Sequence, residues 1–412
     1  MSSTETQLVR HPSNTARYTR ARKVVFLLLS RIEGGGLRLR EPEGPEGNET
    51  LFGDRHATLQ GDITIHNPRV YRRVLLGGSI AAGESYIDGD WSSTNLTLVL
   101  QLLAQNQALV DTLETRFGWL TGPFHRFIHW CRRNRPQQAQ KNIAAHYDLG
   151  NHFYRSFLDS EMLYSSAWYQ QPEMTLEDAQ RAKLRRLCEQ LALCETDHLL
   201  EIGTGWGGLA ELAAREYGCH VTTTTLSQQQ YDYAVERIQH AGLSHKVTVL
   251  LQDYRSLTGQ YDKLVSVEMI EAVGKAYLPT FFKRCQQLLR PQGRMVLQAI
   301  TIADQRYSHY SRNVDFIQRY IFPGGFLPSI TAMTATMTRH TDFITRDLFD
   351  IGQDYARTLS EWRQRFYQQW HMLSAQGFDE PFQRLWVFYL CYCEAGFRAR
   401  TISTVQLTAE RP

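Results

Sequence analysis

The segment Glu201-Ile202-Gly203-Thr204-Gly205-Trp206-Gly207-Gly208 sets glycines at alternate positions directly after a short, mostly apolar run, His198–Ile202. Glycine has no Cβ, so the chain can turn sharply there and lie against a ligand. In an open α/β sheet such a turn falls at the carboxyl edge of the strands, where ligands bind. A dinucleotide site uses GxGxxG and an acidic residue ending the second strand. Here the third glycine comes one residue early, and the second strand runs into Thr222–Ser227 and three glutamines, so nicotinamide and flavin sites are disfavoured. Two carboxylates follow later apolar runs: Asp253, in Gln252-Asp253-Tyr254, and Glu271, in Ser266-Val267-Glu268-Met269-Ile270-Glu271. The seven cysteines are scattered, odd in number and form no CxxC pair, which argues against a zinc site or a disulfide framework.

The elements that must position these groups are legible from about residue 141. Thr175, with Asp178 three residues on, reads as the N-cap of a helix carrying Ala179, Ala182, Leu187 and Leu191. Short strands at His198–Ile202, His220–Thr224, Lys246–Leu251, Lys263–Val267 and Arg294–Ala299 then alternate with helical stretches, the pattern of a parallel, doubly wound sheet. The chain ends on a strand-like stretch, Thr401–Leu407. Before residue 141 the reading is short strands and turns over 24–100, including the turn-rich stretch 75–91, then a helix over Leu96–Leu113 and an aromatic, basic connector over 111–140. Residues 1–20 are polar and expected to fray, and 41–50 form an acidic loop.

The 412 residues, 42% apolar and 21% charged, suit two domains with full cores. The longest apolar run, Val24–Ser30, is too short to cross a bilayer, and the chain is expected to be cytoplasmic. Residues 1–145 carry 18 basic against 13 acidic residues, with clusters at Arg17, Arg20, Arg22, Lys23 and at Arg132, Arg133, Arg135. Such patches attract anionic lipid or nucleic acid, or are simply solvated.

Several segments resemble the cyclopropane fatty acid synthases and mycolic acid cyclopropane synthases. They are AAHYDLGNHFY (144–154), LYSSAWY (163–169), LLEIGTGWGGLAELAA (199–214), TLSQQQ (225–230), SVEMIEAVG (266–274), IFPGGFLPS (321–329), DYARTLSEW (354–362) and CEAGFRAR (393–400). HNPRVYRRVLLGGSIAAGESYIDGDW (66–91) is similar to the N-terminal domain of the bacterial phospholipid enzymes. The resemblance implies a class I S-adenosylmethionine-dependent methyltransferase: a Rossmann-like, seven-stranded, mostly parallel sheet over 141–412, a connector over 111–140 and a smaller lipid-facing domain over 1–110. It implies methyl transfer to the cis double bond of unsaturated phospholipid acyl chains, giving a carbocation that closes to a cyclopropane when the transferred methyl loses a proton. The base is implied to be a bound bicarbonate ion.

Carried over residue by residue, the bicarbonate cage falls on Ser166, Glu271, Gln298, Ile300 and Tyr355. The family usually has Cys in place of Ser166 and His in place of Gln298, which opens a methyl-branched or methylene product. Ser166 still offers its backbone N–H and a hydroxyl. Cys393 matches an active-site cysteine of the family, although the alkene is itself the nucleophile and packing suits the thiol better. For the methyl donor the resemblance points to Tyr164 and Ser165, to Gly203, Thr204, Gly205, Trp206 and Gly207, to Thr225, Leu226, Ser227 and Gln230, and to Asp253 and Tyr254, with Asp253 on the adenine amino group. Aromatic residues at 307–327 would line the acyl tunnel. Implied partners are unsaturated acyl chains and an anionic membrane surface at the inner face, and a second copy of the chain, with no nucleic acid. The run at 266–271 lacks the Asp/Asn-Pro-Pro-aromatic signature of nucleobase amino-methylation. The rivals are an amine N-methyltransferase, against which the N-terminal domain argues, and a catalytically silent lipid-binding protein, against which the intact glycine turn, Glu271 and Tyr355 argue.

Overall fold

The computed structural model describes residues 15–42, 48–111 and 149–412, and the chain divides into two compact units, Met1–Thr121 and Gly122–Pro412. The expected connector over 111–140, apart from its first residue, and the cluster Arg132, Arg133, Arg135 lie outside the described residues.

The first unit holds a four-stranded sheet: β1 (Gly36–Glu41), β2 (Asn48–Gly53), β3 (Gln60–Ile65) and β4 (Trp91–Ser92), in the order β2-β1-β3-β4. Its core is Leu37, Leu39, Phe52, Ile65, Val99 and Leu102. Two stretches read as strands and turns are helical. Val24–Leu29 ends a helix from Thr15, and 75–87 belongs to the helix Arg69–Ile87. The glycines there misled the reading: only Gly78 leaves helical geometry, with φ of 59°, and it kinks the helix rather than ending it. The expected helix over Leu96–Leu113 is broken at Asn106: Leu96–Gln105 is one segment, helical backbone resumes over 107–111, and 112–113 lie outside the described residues. There the Asn106 side chain donates to the carbonyls of Leu102 and Glu33. Glu41 is half-buried and accepts from Arg22 (2.8 Å) and from the Tyr71 hydroxyl (2.5 Å), tying helix to sheet.

The second unit is an α/β methyltransferase-like sheet of seven strands: β5 (His198–Ile202), β6 (His220–Thr225), β7 (Val247–Leu251), β8 (Tyr261–Val267), β9 (Leu289–Ile302), β10 (Ile344–Asp350) and β11 (Ile402–Glu410). The order is β10-β11-β9-β8-β5-β6-β7. The five strands β5 to β9 are parallel, and β11 runs antiparallel to both β9 and β10. Successive side chains point to opposite faces. Leu200, Leu264 and Leu297 therefore enter one core with Phe281 and Phe282, while Leu199, Val265 and Val296 enter the other with Leu187 and Ala213. Thr175 caps the helix Leu176–Leu191 by accepting from Asp178 N at 3.1 Å. Strand β10 had no sequence reading. It is largely exposed, so it lacks the apolar alternation that marks a buried strand.

Candidate active site

The glycine turn lies where the sequence puts it, between β5 and the helix Gly208–Glu216. Gly203, Gly205 and Gly207 have φ of 106°, 53° and 86°, a region costly to residues with a Cβ. The amides of Gly203 and Thr204 both donate to the Thr224 carbonyl (3.0 and 3.1 Å), which ties the turn to the end of β6. A Cβ on Gly205 would meet nothing within 4 Å, so that face of the turn is open. A larger residue there would meet no clash within the protein, and its penalty would reside in the backbone.

The other residues expected at the donor site are partly engaged with one another. Trp206 donates to Asn151 Oδ1 (2.8 Å), the Thr225 hydroxyl donates to Gln230 (2.8 Å), and Ser227 caps the following helix through Gln230 N. Thr204 is buried on the Thr223 hydroxyl, and Leu226 is half-buried beside them. Asp253 lies two residues past β7 but spends its carboxylate on Arg255, accepting from its backbone N (2.9 Å) and its guanidinium (2.6 Å). Tyr254 packs edge-on against Phe281, 5.6 Å between ring centroids, on the core side of the turn. The Tyr164 hydroxyl pairs with Tyr389 (2.7 Å), and Ser165 accepts from Lys183 (2.6 Å).

The residues named for the anion cage converge, but on a side chain the sequence reading gave no role. Glu268 Oε1 accepts from Ser166 N (2.9 Å) and Gln298 Nε2 (2.8 Å), and Oε2 accepts from the Tyr355 hydroxyl (2.8 Å). The backbone N–H of Glu268 donates to Gln298 O (2.8 Å), fixing it beside β9. Its φ is 48°. Holding a non-glycine residue there costs roughly 1–2 kcal/mol. Three hydrogen bonds to a carboxylate, each about 1.5–3 kcal/mol, outweigh that. The Ser166 hydroxyl, expected to face the cage, instead donates to Ala167 O (2.8 Å). Ile300 N donates to Glu271 Oε1 (2.5 Å), and Glu271 Oε2 is buried with no hydrogen-bond partner.

A bicarbonate ion does not fit this arrangement. Three of the expected donors are taken up by Glu268, whose carboxyl group fills the place they would give the ion, and an anion held against that carboxylate would be disfavoured by like charge. The two carboxylates are unlike each other. Burial pushes both upward, but three donors oppose the rise at Glu268. Glu271 is pushed up to about 8, by burial first and then by the charge of Glu268. Glu268, with three donors to its charged form, is the carboxyl better held as an anion, while Glu271 is held toward its neutral form near pH 7, the kind of division that lets two carboxyls play different roles.

Beneath them lie two further buried groups that the sequence did not flag. Lys183 is fully buried and lowered to about 8 by burial, against the pull of Glu268, Asp159 and Glu201. Glu201 is raised to about 8 by burial and accepts from the Thr223 hydroxyl (2.6 Å). Gln406 was also missed. It stands opposite Gln298 in the β9–β11 register, donates to Gln298 Oε1 (3.0 Å) and accepts from Arg186 Nε (2.9 Å). The Tyr355 ring stacks on Phe397 (4.6 Å, 28°). Cys393 is half-buried near Tyr355 and Tyr389, and burial pushes its thiol up, away from thiolate character.

Two contacts join these parts. A Cβ built on Gly203 would lie 3.3 Å from Met269 Cβ, so the glycine turn abuts the segment between the two glutamates. Phe326 N donates to Glu271 O (2.8 Å). This brings the aromatic segment, with its helices Asp304–Tyr310 and Phe316–Tyr320, to the same point. Its rings continue onto the helix Glu380–Arg398 through Phe316–Phe388 (4.6 Å) and Phe322–Tyr389 (6.3 Å). Among the described residues no cluster could hold a metal ion and no helix is long and apolar enough to cross a membrane.

A seven-stranded sheet of this order, with a glycine turn after β5 and carboxylates after β7 and β8, defines an S-adenosylmethionine-dependent methyltransferase. The profile of the mycolic acid cyclopropane synthetase family matches residues 134–407, and the chain belongs to that family. It is 42% identical over 376 residues to the tuberculostearic acid methyltransferase UfaA1 of Mycobacterium tuberculosis, covering 88% of this chain and 87% of that protein. It is 38% identical over 364 residues to the cyclopropane-fatty-acyl-phospholipid synthase of Escherichia coli, covering 86% and 89%. The structure of the cyclopropane synthase MmaA2 from Mycobacterium tuberculosis superposes with a TM-score of 0.62 at 29% identity, over 66% of this chain and 98% of that one. Mycolic acid cyclopropane synthase CmaA1, solved with S-adenosylhomocysteine (SAH), gives the same score at 28% identity over 66% and 98%. The chain is thus an S-adenosylmethionine-dependent enzyme of lipid acyl-chain modification.

Proposed function

We propose that this enzyme transfers the methyl group of S-adenosylmethionine to the cis double bond of unsaturated acyl chains in membrane phospholipids and closes a cyclopropane by loss of a proton from that methyl. The observation that carries the reading is the glutamate pair after β8. It lies against the glycine turn on one side and the aromatic segment on the other, so donor, alkene and proton acceptor can share one point. The donor would rest on Gly203–Gly207, with Tyr164, Ser165, Thr225–Gln230, Asp253 and Tyr254 around it. Ser166, Gln298, Ile300, Tyr355 and Glu271 would surround the reacting carbons, and Cys393 would pack beside the chain. Bicarbonate as the base would need the donors that Glu268 holds.

A second product has support of its own: the 42% relative carries the name of a methyltransferase and the 38% relative that of a cyclopropane synthase. A 1,2-hydride shift in the cation before proton loss yields a methylene branch from the same substrate. The enzyme would work in the cytoplasm, bound peripherally to the anionic inner membrane face through its first unit, as a homodimer. Mass spectrometry of phospholipids from bacteria expressing the chain tests the reading: monounsaturated chains should gain one CH2, and gas chromatography should separate ring from methylene. Unmodified lipids alongside methylation of a small amine would overturn it.

A further inference from the structure

We propose that Glu268 is the resident base of this enzyme, a protein carboxylate standing where the family resemblance implies a bicarbonate ion, so that turnover needs no added anion. The inference rests on the acyl-chain reading above. Four features of the site support it. The carboxylate sits in a ring of donors from three separate parts of the chain: Ser166 N before the helix Leu176–Leu191, Gln298 on β9 and Tyr355 on the helix Gly352–Ala375. Oε1 takes two of these donors and Oε2 only one. A carboxylate oxygen can accept at about two positions, so Oε2 keeps a lone pair for a proton. The backbone at Glu268 is held at a φ of 48°, and strain of that kind persists where the surroundings over-determine a functional side chain.

The polarity of the ring is also fixed. Arg186 can only donate. Its Nε bond to Gln406 Oε1 makes Gln406 present its amide hydrogens to Gln298 Oε1, and Gln298 must then present its own to Glu268. A glutamine in this position serves an anionic side chain as a fixed donor.

In the step itself, the alkene π pair forms a bond to the methyl carbon as the C–S bond breaks, and SAH leaves with that pair. Oε2 of Glu268 then takes a proton from the transferred methyl. The C–H pair closes onto the cationic carbon as the third ring bond or, after a hydride shift, becomes the second bond of a methylene. Glu268 passes the proton to solvent, and no oxidant or reductant is needed.

The test uses the full chain with vesicles of dioleoyl phosphatidylglycerol, reading SAH release and acyl mass in CO2-free buffer with and without added bicarbonate. Wild type should respond less than about twofold. Glu268→Gly empties the ring, and glycine suits the left-handed backbone. It should keep its S-adenosylmethionine affinity, melt at a somewhat lower temperature because three buried donors lose their acceptor, lose roughly a hundredfold in rate, and recover about tenfold in rate with bicarbonate or formate. If no small anion enters, Glu268→Asp decides: partial activity supports the proposal, and a rate as low as that of the glycine variant overturns it. A severalfold rise of wild type with bicarbonate, or an undiminished Glu268→Gly rate in CO2-free buffer, overturns this inference alone. Absence of any acyl product from wild type under all conditions removes the acyl-chain reading and this proposal together.

Discussion

Gln406 touches none of the reacting groups, yet the hydrogen-bond chain Arg186–Gln406–Gln298–Glu268 makes it a positioning residue. Gln406→Leu nearly preserves volume and removes both of its hydrogen bonds. The buried Gln298 Oε1 then has no partner, a cost of about 1–3 kcal/mol in stability. With Gln406 gone, only the longer bond from Gln298 Nε2 to Ser166 O (3.3 Å) supports the Gln298 donor orientation, so the amide can turn its oxygen toward Glu268 and a charge-assisted bond to the carboxylate is lost. That bond is worth about 1.5–3 kcal/mol, or roughly a ten- to hundredfold fall in kcat if it holds the base in place. KM for S-adenosylmethionine should stay put, because neither hydrogen-bond partner of the Gln406 side chain, Arg186 or Gln298, belongs to the glycine turn. The pH–rate profile separates this role from mere packing. Glu268 must be ionised to act, so the rate falls as pH falls through its pKa. Losing a donor to the charged form raises that pKa, and the acid limb must move to higher pH. Glu271, Lys183 and Tyr355, which also act on Glu268, are unchanged by the substitution. A Gln406→Leu enzyme with kcat reduced but its acid limb unmoved would refute the orienting chain.

Three further outcomes are expected. Gly205→Val and Asp253→Ala should each weaken S-adenosylmethionine binding in calorimetry. The first acts by strain at a φ of 53° and by filling the open face. The second loses a carboxylate hydrogen bond, roughly tenfold or more. Unaltered affinity in both would mean that the donor binds elsewhere. Glu271 is raised from 4.5 to about 8. Between those values the folded state keeps a proton that the unfolded state has lost, so stability falls as pH rises across the window and levels off above it. Glu271→Gln should reduce that slope, leaving the part due to Glu201, which is raised over the same window, and raise Tm most near the upper end, as measured by scanning calorimetry at several pH values. Finally, residues 122–412 alone should bind S-adenosylmethionine but act poorly on vesicles. Full vesicle activity would remove the membrane role from the first unit.

The parallel sheet was legible because each buried strand is a short apolar run and each intervening helix carries its own signals, such as the Thr175 cap. The glycine turn was legible because alternating glycines at a strand end have few other uses. What the sequence could not determine was where long side chains go. Glu268 and Glu271 are both written in SVEMIE, three residues apart, and nothing local says that the first turns back under a left-handed backbone to collect Ser166, Gln298 and Tyr355. Those donors are separated from it by 102, 30 and 87 positions. Gln406 is coupled to Gln298 only because β11 runs antiparallel beside β9 with those two residues in register. Glycines at 77, 78, 83 and 89 suggested turns in the first unit, where tertiary packing kept a helix to Ile87. Residue types and spacing determined the class of chemistry and the edge of the sheet where it occurs. Which carboxylate holds the charge there was decided by burial and donor count, which exist only once distant strands and helices have come together.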